Sequence, residues 1–251
     1  MTVDLDRIVH DLRRLGLAAG DHVLVHSSLS RIGNVEGGAP TVICALRAAV
    51  GPEGTVLFPA LSGRADLSPE NPPDFDARNT PAIGIGVIPE TARLSPGAKR
   101  SLNPTHSVVA FGPKAAWFTM GHEQCETPCG PGSPYDKLTQ VGGRILLLGC
   151  DHNSNTSLHM IEELAGVAYH MIPGSAEFEI LDLQGDRLTI RARFHSWASA
   201  RNFNVIEPVL VEKGVQVNGT VGLAEARLID AKAMRDLVLE MLVADPTCLL
   251  A

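Results

Sequence analysis

One stretch, Arg144 to Glu162, constrains this chain more than any other. It reads Arg-Ile-Leu-Leu-Leu-Gly-Cys-Asp-His-Asn-Ser-Asn-Thr-Ser-Leu-His-Met-Ile-Glu. The apolar run Ile145–Leu148 has the length and composition of a buried strand. Gly149 and a cluster of Asp, Asn, Ser and Thr follow, which is the chemistry of a loop and a helix cap. Leu158, Ile161, Ala165 and Ala168 then recur at helical spacing. A strand feeding a helix is the unit of an open α/β sheet, and such sheets take ligands at the carboxyl ends of their strands. His159 falls in the first turn of the helix, with Glu162 and Glu163 three and four residues on. The positive end of the helix dipole favours neutral imidazole, and a carboxylate in contact favours the charged form. Two readings stay open on this segment alone. His159 is either a poised base for an amine or alcohol nucleophile, or a residue that caps the helix and fills a polar niche.

The rest of the chain supplies the partners such a unit needs. Leu5, Ile8, Val9, Leu12 and Leu15 predict an amphipathic helix over residues 4–15, ended by Gly16. Val23–Val25 reads as a short buried strand running into His26-Ser27-Ser28-Leu29-Ser30. A Gly-rich loop, a helix through Val42, Ala45, Leu46 and Ala49, a turn at Gly51–Gly54 and a strand at Val56–Phe58 complete a βαβ unit. Residues 60–84 are polar and rich in proline, a long surface loop of the kind that carries function or is disordered. A helix over 85–95, a strand at Ser107–Phe111, a short helix over 113–120 and a turn at Gly130–Pro134 follow. Ala176–Leu183 and Leu188–Phe194, about a turn at Gln184–Asp186, predict a β-hairpin. Residues 221–243 read as helix. Without an internal repeat or a linker-like break, residues 1–251 read as a single α/β domain. Residues 1–172 form its core, and 173–251 carry the hairpin appendage and a C-terminal helix.

Composition narrows the function classes. With 251 residues, 45% of them hydrophobic, the chain can bury a sizeable core. A net charge of −7 and no lysine or arginine run argue against a nucleic-acid partner and suit a cationic substrate. No apolar run has the length of a membrane span, and the start Met-Thr-Val-Asp-Leu-Asp lacks the pattern of a secretory signal. Five scattered cysteines fit a reduced chain, so a cytoplasmic protein is expected. Cys125 and Cys129, with His122 nearby, lack a second ligand pair and flank a turn at Pro128 and Gly130, so no metal is expected. Phosphate loops, dinucleotide fingerprints, zinc-protease helices and nucleophile elbows are all missing, and Cys150 reads as a buried structural thiol.

Two more polar segments border strands: His26–Ser30, and Pro104-Thr-His-Ser107. Each by itself is a turn or cap as readily as a ligand cradle. If the strands are neighbours and face the same way, the three polar segments converge on one rim.

Taken in order, several blocks resemble the aminoglycoside 3-N-acetyltransferase family, whose fold is unrelated to the common GNAT fold. They are Val25-His-Ser-Ser28, Gly51-Pro-Glu-Gly-Thr55, Phe75-Asp-Ala-Arg-Asn-Thr-Pro81, Arg100-Ser-Leu-Asn-Pro-Thr-His-Ser107, Gly130-Pro-Gly-Ser-Pro-Tyr135, Leu146-Leu-Leu-Gly149 and Asn155-Thr-Ser-Leu-His-Met-Ile-Glu162. The blocks span most of residues 1–170, and the C-terminal third matches loosely. The resemblance implies a layered α/β/α fold with a central mixed sheet and a hairpin-containing C-terminal part. It implies acetyl transfer from acetyl-CoA, as co-substrate and with no metal, to an amino group of a cationic 2-deoxystreptamine aminoglycoside. Resistance to the antibiotic would follow. A monomer or a homodimer is expected.

The same resemblance makes His159 the catalytic base of a direct transfer, and Glu162, in the same block, is a second candidate catalytic residue. His26, Ser27, Ser28, Leu29, Ser30, Ser107, Val108 and Thr156 would contact acetyl-CoA, Thr156 beside the oxyanion. Asp66, Glu163 and Glu207 would meet the acceptor. One departure stands out. Relatives carry an orienting acidic residue after the hairpin, and Arg193-Phe-His-Ser-Trp-Ala-Ser-Ala-Arg201 contains none. Either Glu162, Glu163 or Glu207 takes that part, or the histidine lacks a partner. Two other readings follow from the loose C-terminal match and this gap: an acetyltransferase for another small amine, or a non-catalytic acyl-CoA-binding module.

Overall fold

Alternation along short apolar strands builds the centre of the molecule, a computed structural model that describes residues 2–251. Apart from a two-residue pair at Thr2–Val3 and Asn34–Val35, the strands are β1 (His22–Ser27), β2 (Thr55–Pro59), β3 (Lys99–Arg100), β4 (Val108–Phe111), β5 (Arg144–Leu148), β6 (Ala176–Leu181), β7 (Arg187–Ala192), β8 (Gln216–Val221) and β9 (Ala224–Asp230). Seven form one mixed sheet in the order β8-β9-β5-β1-β2-β4-β3. β1 pairs in parallel with β5 on one side and β2 on the other, and the outer strands are antiparallel.

Because successive side chains of a strand point to opposite faces, each strand feeds two cores. Val23 and Val25, Val56 and Phe58, and Leu146 and Leu148 face one layer. Leu24, Leu57, Ile145 and Leu147 face the other. The first layer is covered by α1 (Leu5–Leu15), α2 (Ala39–Val50) and α3 (Val87–Leu94). The second is covered by α4 (Pro134–Gln140), α5 (Ser157–Ala165) and α6 (Ala231–Ala244). The result is the expected layered α/β/α arrangement.

Local chemistry explains the boundaries. Asp4 caps α1 by accepting the Arg7 N–H at 2.9 Å, and Gly16 ends it in the left-handed conformation at φ +115°. Between them Ile8, Leu12 and Leu15 sit on one face and are buried, each contributing about 1.5–3 kcal/mol relative to exposure. The hairpin β6–β7 turns where predicted, its loop tied by Asp182 Oδ1 accepting three backbone N–H groups. With Leu67, Phe75 and Phe194 it forms a third, smaller apolar cluster.

Part of the helix expected over 221–243 is replaced by strand. Residues 216–230 form the hairpin β8–β9, joined by the two-residue loop Gly222-Leu223, and only 231–244 are helical. Ala224, Glu225, Ala226 and Arg227 have good helix propensity, but pairing with β5 from Asp230 to Ala226 overrides it. Gly222 turns the chain at φ +61°, the left-handed value a two-residue hairpin needs at its first position. A helix absent from the sequence reading, α4, starts at Pro134 with Ser133 as its cap. No helix among the described residues is long and apolar enough to cross a membrane.

His122 shows how polar groups are built into this core. Fully buried, it donates from Nε2 to the Pro128 carbonyl at 2.8 Å and accepts at Nδ1 from Ser101, also at 2.8 Å. Ser101 in turn accepts the N–H of Val108. Burial pushes His122 down to about 4, outweighing the pull of the carbonyl. Unfolded, this ring takes a proton below about pH 6.5; folded, it resists until about pH 4. Its stabilising contribution is therefore complete above the upper value and lost as pH falls through the window, to the extent of about 3 kcal/mol. Urea unfolding of wild type and His122→Gln at pH 7 and pH 4.5 should show the variant losing markedly less stability on acidification. Equal losses would refute this account.

Candidate active site

The parallel pairing of β1 and β5 brings their carboxyl ends side by side. The Ser28 N–H donates to the Leu148 carbonyl at 2.9 Å just where both strands stop. β4 is antiparallel to β2, so the turn before it reaches the same rim. The three polar segments do converge there, with the rings of His106 and His159 6.2 Å apart. A cavity of about 880 Å³ opens at this rim. Its walls include His26, Ser27, Ser28, Leu29, Ser30, Asn155, Thr156 and His159, together with Gly84–Val87 and Trp197.

The segment from β5 to α5 is held firmly. Asp151 accepts the Asn153 N–H, Asn155 accepts the Ser157 N–H, and the Asn204 side chain bridges Asp151 and the His152 N–H. The Phe203 N–H donates to Asn153, and the Phe203 ring stands 5.3 Å from that of His159. His159 is thus fixed on the first turn of α5, with its ring at the cavity wall.

Its partner is on the same helix. Glu162 Oε2 lies 2.8 Å from His159 Nδ1, which leaves Nε2 as the free ring nitrogen. The same oxygen is 3.0 Å from His170 Nδ1, and Oε1 is 3.3 Å from Arg201 Nε. The side chain of Glu162 has no exposure to solvent. Burial works to raise its pKa; the bonds from His159 and His170 and their charges override this and hold it well below the usual carboxylate range. Glu163, one residue on, behaves oppositely. Burial pushes it up to about 8, against hydrogen bonds from Thr127 and the Cys129 N–H. It pairs at 2.6 Å with His195 Nε2, whose ring burial drives strongly toward the neutral form.

The remaining expected site residues are placed elsewhere. The Ser107 hydroxyl is fully buried, donating to the Ala60 carbonyl and accepting from Arg100. Val108 points into the second core, so neither lines the cavity. Glu163 is sealed beneath His195 and cannot meet an acceptor directly. Glu207 is spent on Arg227 and Gln216 away from the cavity, and Asp66 is paired with Arg64 on the long loop. Cys150 is not sealed in the core but edges the cavity, its thiol pushed up to about 11 by burial. The sequence gives no individual role to His106, His170, His195, Trp197 or Arg201, although His106 lies in the polar segment Pro104–Ser107. They surround His159, but their spacing along the chain follows no motif. His26 lines the cavity as a neutral ring, pushed down to about 3 by burial.

Comparison with known proteins agrees with this architecture. The family model for aminoglycoside 3-N-acetyltransferase matches residues 24–243. An aminoglycoside N(3)-acetyltransferase III from Salmonella sp. is 34% identical over 247 residues, covering 90% of this chain and 86% of that protein. The structure of AAC-IIIb, binary with CoASH, superposes with a TM-score of 0.84 at 32% identity and covers 97% of each chain. A mutant of the aminoglycoside acetyltransferase AAC(3)-IVa in complex with a gentamicin also gives 0.84, at 31% identity, over 100% of this chain and 92% of the other. Sequence blocks, sheet order and matched relatives meet in one conclusion: this chain is an N-acetyltransferase and belongs to the aminoglycoside 3-N-acetyltransferase family.

Proposed function

We propose that the chain transfers the acetyl group of acetyl-CoA to an amino group of a 2-deoxystreptamine antibiotic, with His159 as general base. The observation that carries this reading is the pair His159–Glu162 at the wall of the cavity. Nδ1–H is donated to a buried carboxylate, which fixes the tautomer and leaves Nε2 as a lone pair facing the substrate. The cavity suits the pantetheine arm. Gly33, Gly38, Gly84 and Gly86 let backbone come close, and in the same wall the buried Ser27 Oγ and His26 Nε2 have no protein partner. Bound there, acetyl-CoA supplies the activated acyl carbon.

His159 Nε2 takes the proton released as the acceptor amine bonds to the acyl carbon. Glu162 stabilises the imidazolium that results. Thr156, at the amino end of α5, makes no cap bond with its side chain, so its hydroxyl and the adjacent helix N–H groups can stabilise developing negative charge. The relative bound to a gentamicin supports an aminoglycoside acceptor, and the net charge of −7 suits a polycation. Resistance to such drugs is the consequence. The missing carboxylate that suggested a non-catalytic binding module has a counterpart in Glu162.

Two measurements test this reading. His159→Ala should lower kcat by about 10²–10⁴ in a thiol-release assay across an aminoglycoside panel, with acetyl-CoA affinity nearly intact. An unchanged rate would remove His159 from the chemistry, and no turnover by wild type on any aminoglycoside would remove the acceptor. Arg201→Met leaves Glu162 buried without its cation. Urea unfolding should show a loss of about 3–5 kcal/mol, and a loss within experimental error would mean that the ion pair matters little to the fold.

A further inference from the structure

Trp197 is an exposed aromatic side chain held in a fixed pose beside the reacting group. Its ring stands 5.6 Å from that of His159 at 87° and 6.2 Å from that of His195 at 70°. The Arg201 guanidinium lies over it, 5.9 Å from the ring centre. Arg201 is itself anchored on Glu162 and on the Ser196 and Ser199 carbonyls. Despite these contacts 47% of Trp197 is open to solvent. An indole is a large apolar surface, and leaving half of it wet at a cavity wall forgoes burial that a ligand can supply. Two spaces share this ring. One is the cavity of about 880 Å³, and the other is a narrow cleft under Gly63, Arg64 and Leu67 of the long loop. The glycines that suit the pantetheine arm line the cavity but not the cleft, so Trp197 lies on the side away from them.

The walls offer an acceptor no carboxylate. No Asp, Glu, Lys or Arg is among the described residues that line the cavity, and the charged residue of the cleft, Arg64, is a cation paired with Asp66. A net charge of −7 draws a polycation from a distance. At His159, however, the acceptor meets imidazole, hydroxyl and indole. Its amine is also spared the ion pair that would hold it protonated and unreactive. What an indole recognises is the face of a ring. A cyclitol or sugar chair with equatorial substituents carries only C–H groups on its faces. These pack on an aromatic surface while amines and hydroxyls stay free at the rim. A flexible polyamine has no such face. We propose that Trp197 is the acceptor platform: it stacks on the amine-bearing ring of the substrate, presents that amine to His159 and selects ring amines over open-chain polyamines.

This role rests on the acetyl-transfer reading above, and the experiment separates the two. The chain has two tryptophans, and Trp117 lies on the short helix Ala115–Thr119, outside the cavity. The Trp117→Phe enzyme therefore reports on Trp197 alone. It is titrated with gentamicin and with spermine while its emission is followed. In parallel, steady-state constants of wild type, Trp197→Ala and Trp197→Phe are measured by thiol release. A saturable change in emission is expected with gentamicin and none with spermine. Trp197→Ala should raise KM for gentamicin about tenfold, Trp197→Phe should restore most of the loss, and KM for acetyl-CoA should stay unchanged in both. An unchanged gentamicin KM in Trp197→Ala, equal losses in the two variants, an equal rise in the acetyl-CoA KM, or an equal response to spermine would overturn the platform. A gentamicin response without turnover keeps the platform and removes the transferase reading. Turnover with unaltered constants removes the platform alone, and the absence of both response and turnover removes both. Should Trp197→Ala fold poorly, the fluorescence titration decides.

Discussion

The arrangement around His159 depends on one carboxylate that never meets water. Glu162 joins three pieces of chain: its own helix through His159, the turn after that helix through His170, and the segment after the β6–β7 hairpin through Arg201. A buried charge is tolerable only when it is paired and hydrogen-bonded, and Glu162 is both. Arg201 spends its remaining donors on the Ser196 and Ser199 carbonyls and on His170 Nδ1, and lies over the rings of Tyr169 and Trp197. The carboxylate therefore orients an imidazole and, through Arg201, also shapes the loop that carries Trp197 to the cavity wall.

Adjacent residues on one helix turn end in opposite charge states for a simple reason. Glu162 faces two imidazoles whose bonds and charges outweigh desolvation. Glu163 faces one imidazole that burial itself keeps neutral, so desolvation prevails and the proton stays. Glu162 is thus the charged carboxylate of the pair, balanced by Arg201 on its other oxygen. That balance leaves His159 in a low-dielectric setting where a proton gained by its ring is felt strongly by Glu162.

Much of this was legible in the sequence. The apolar runs at 23–25, 56–58 and 145–148 marked the sheet, and the Asn155–Glu162 block placed His159 and its carboxylate, because i, i+3 spacing on a helix is a local property. Non-local geometry stayed hidden. His106, His195 and Arg201 meet His159 through sheet order and a loop path that no spacing encodes. The β9 strand was masked by Ala and Glu residues whose intrinsic preference is helical and whose pairing partner lies in β5. Ser107 and Val108 look like cavity residues by position in a motif, but their hydroxyl and side chain are used within the sheet.

The order of the strands also bears on how the chain is made. β5 is flanked on one side by β1, synthesised long before it, and on the other by β9, from residues 224–230. A nascent chain that has completed α5 holds an apolar strand with one row of unpaired backbone groups. That open edge invites association with other chains until the last hairpin arrives. Truncations before residue 224 are therefore expected to aggregate rather than to persist as smaller folded units, and chaperone dependence should concentrate in this late interval of synthesis.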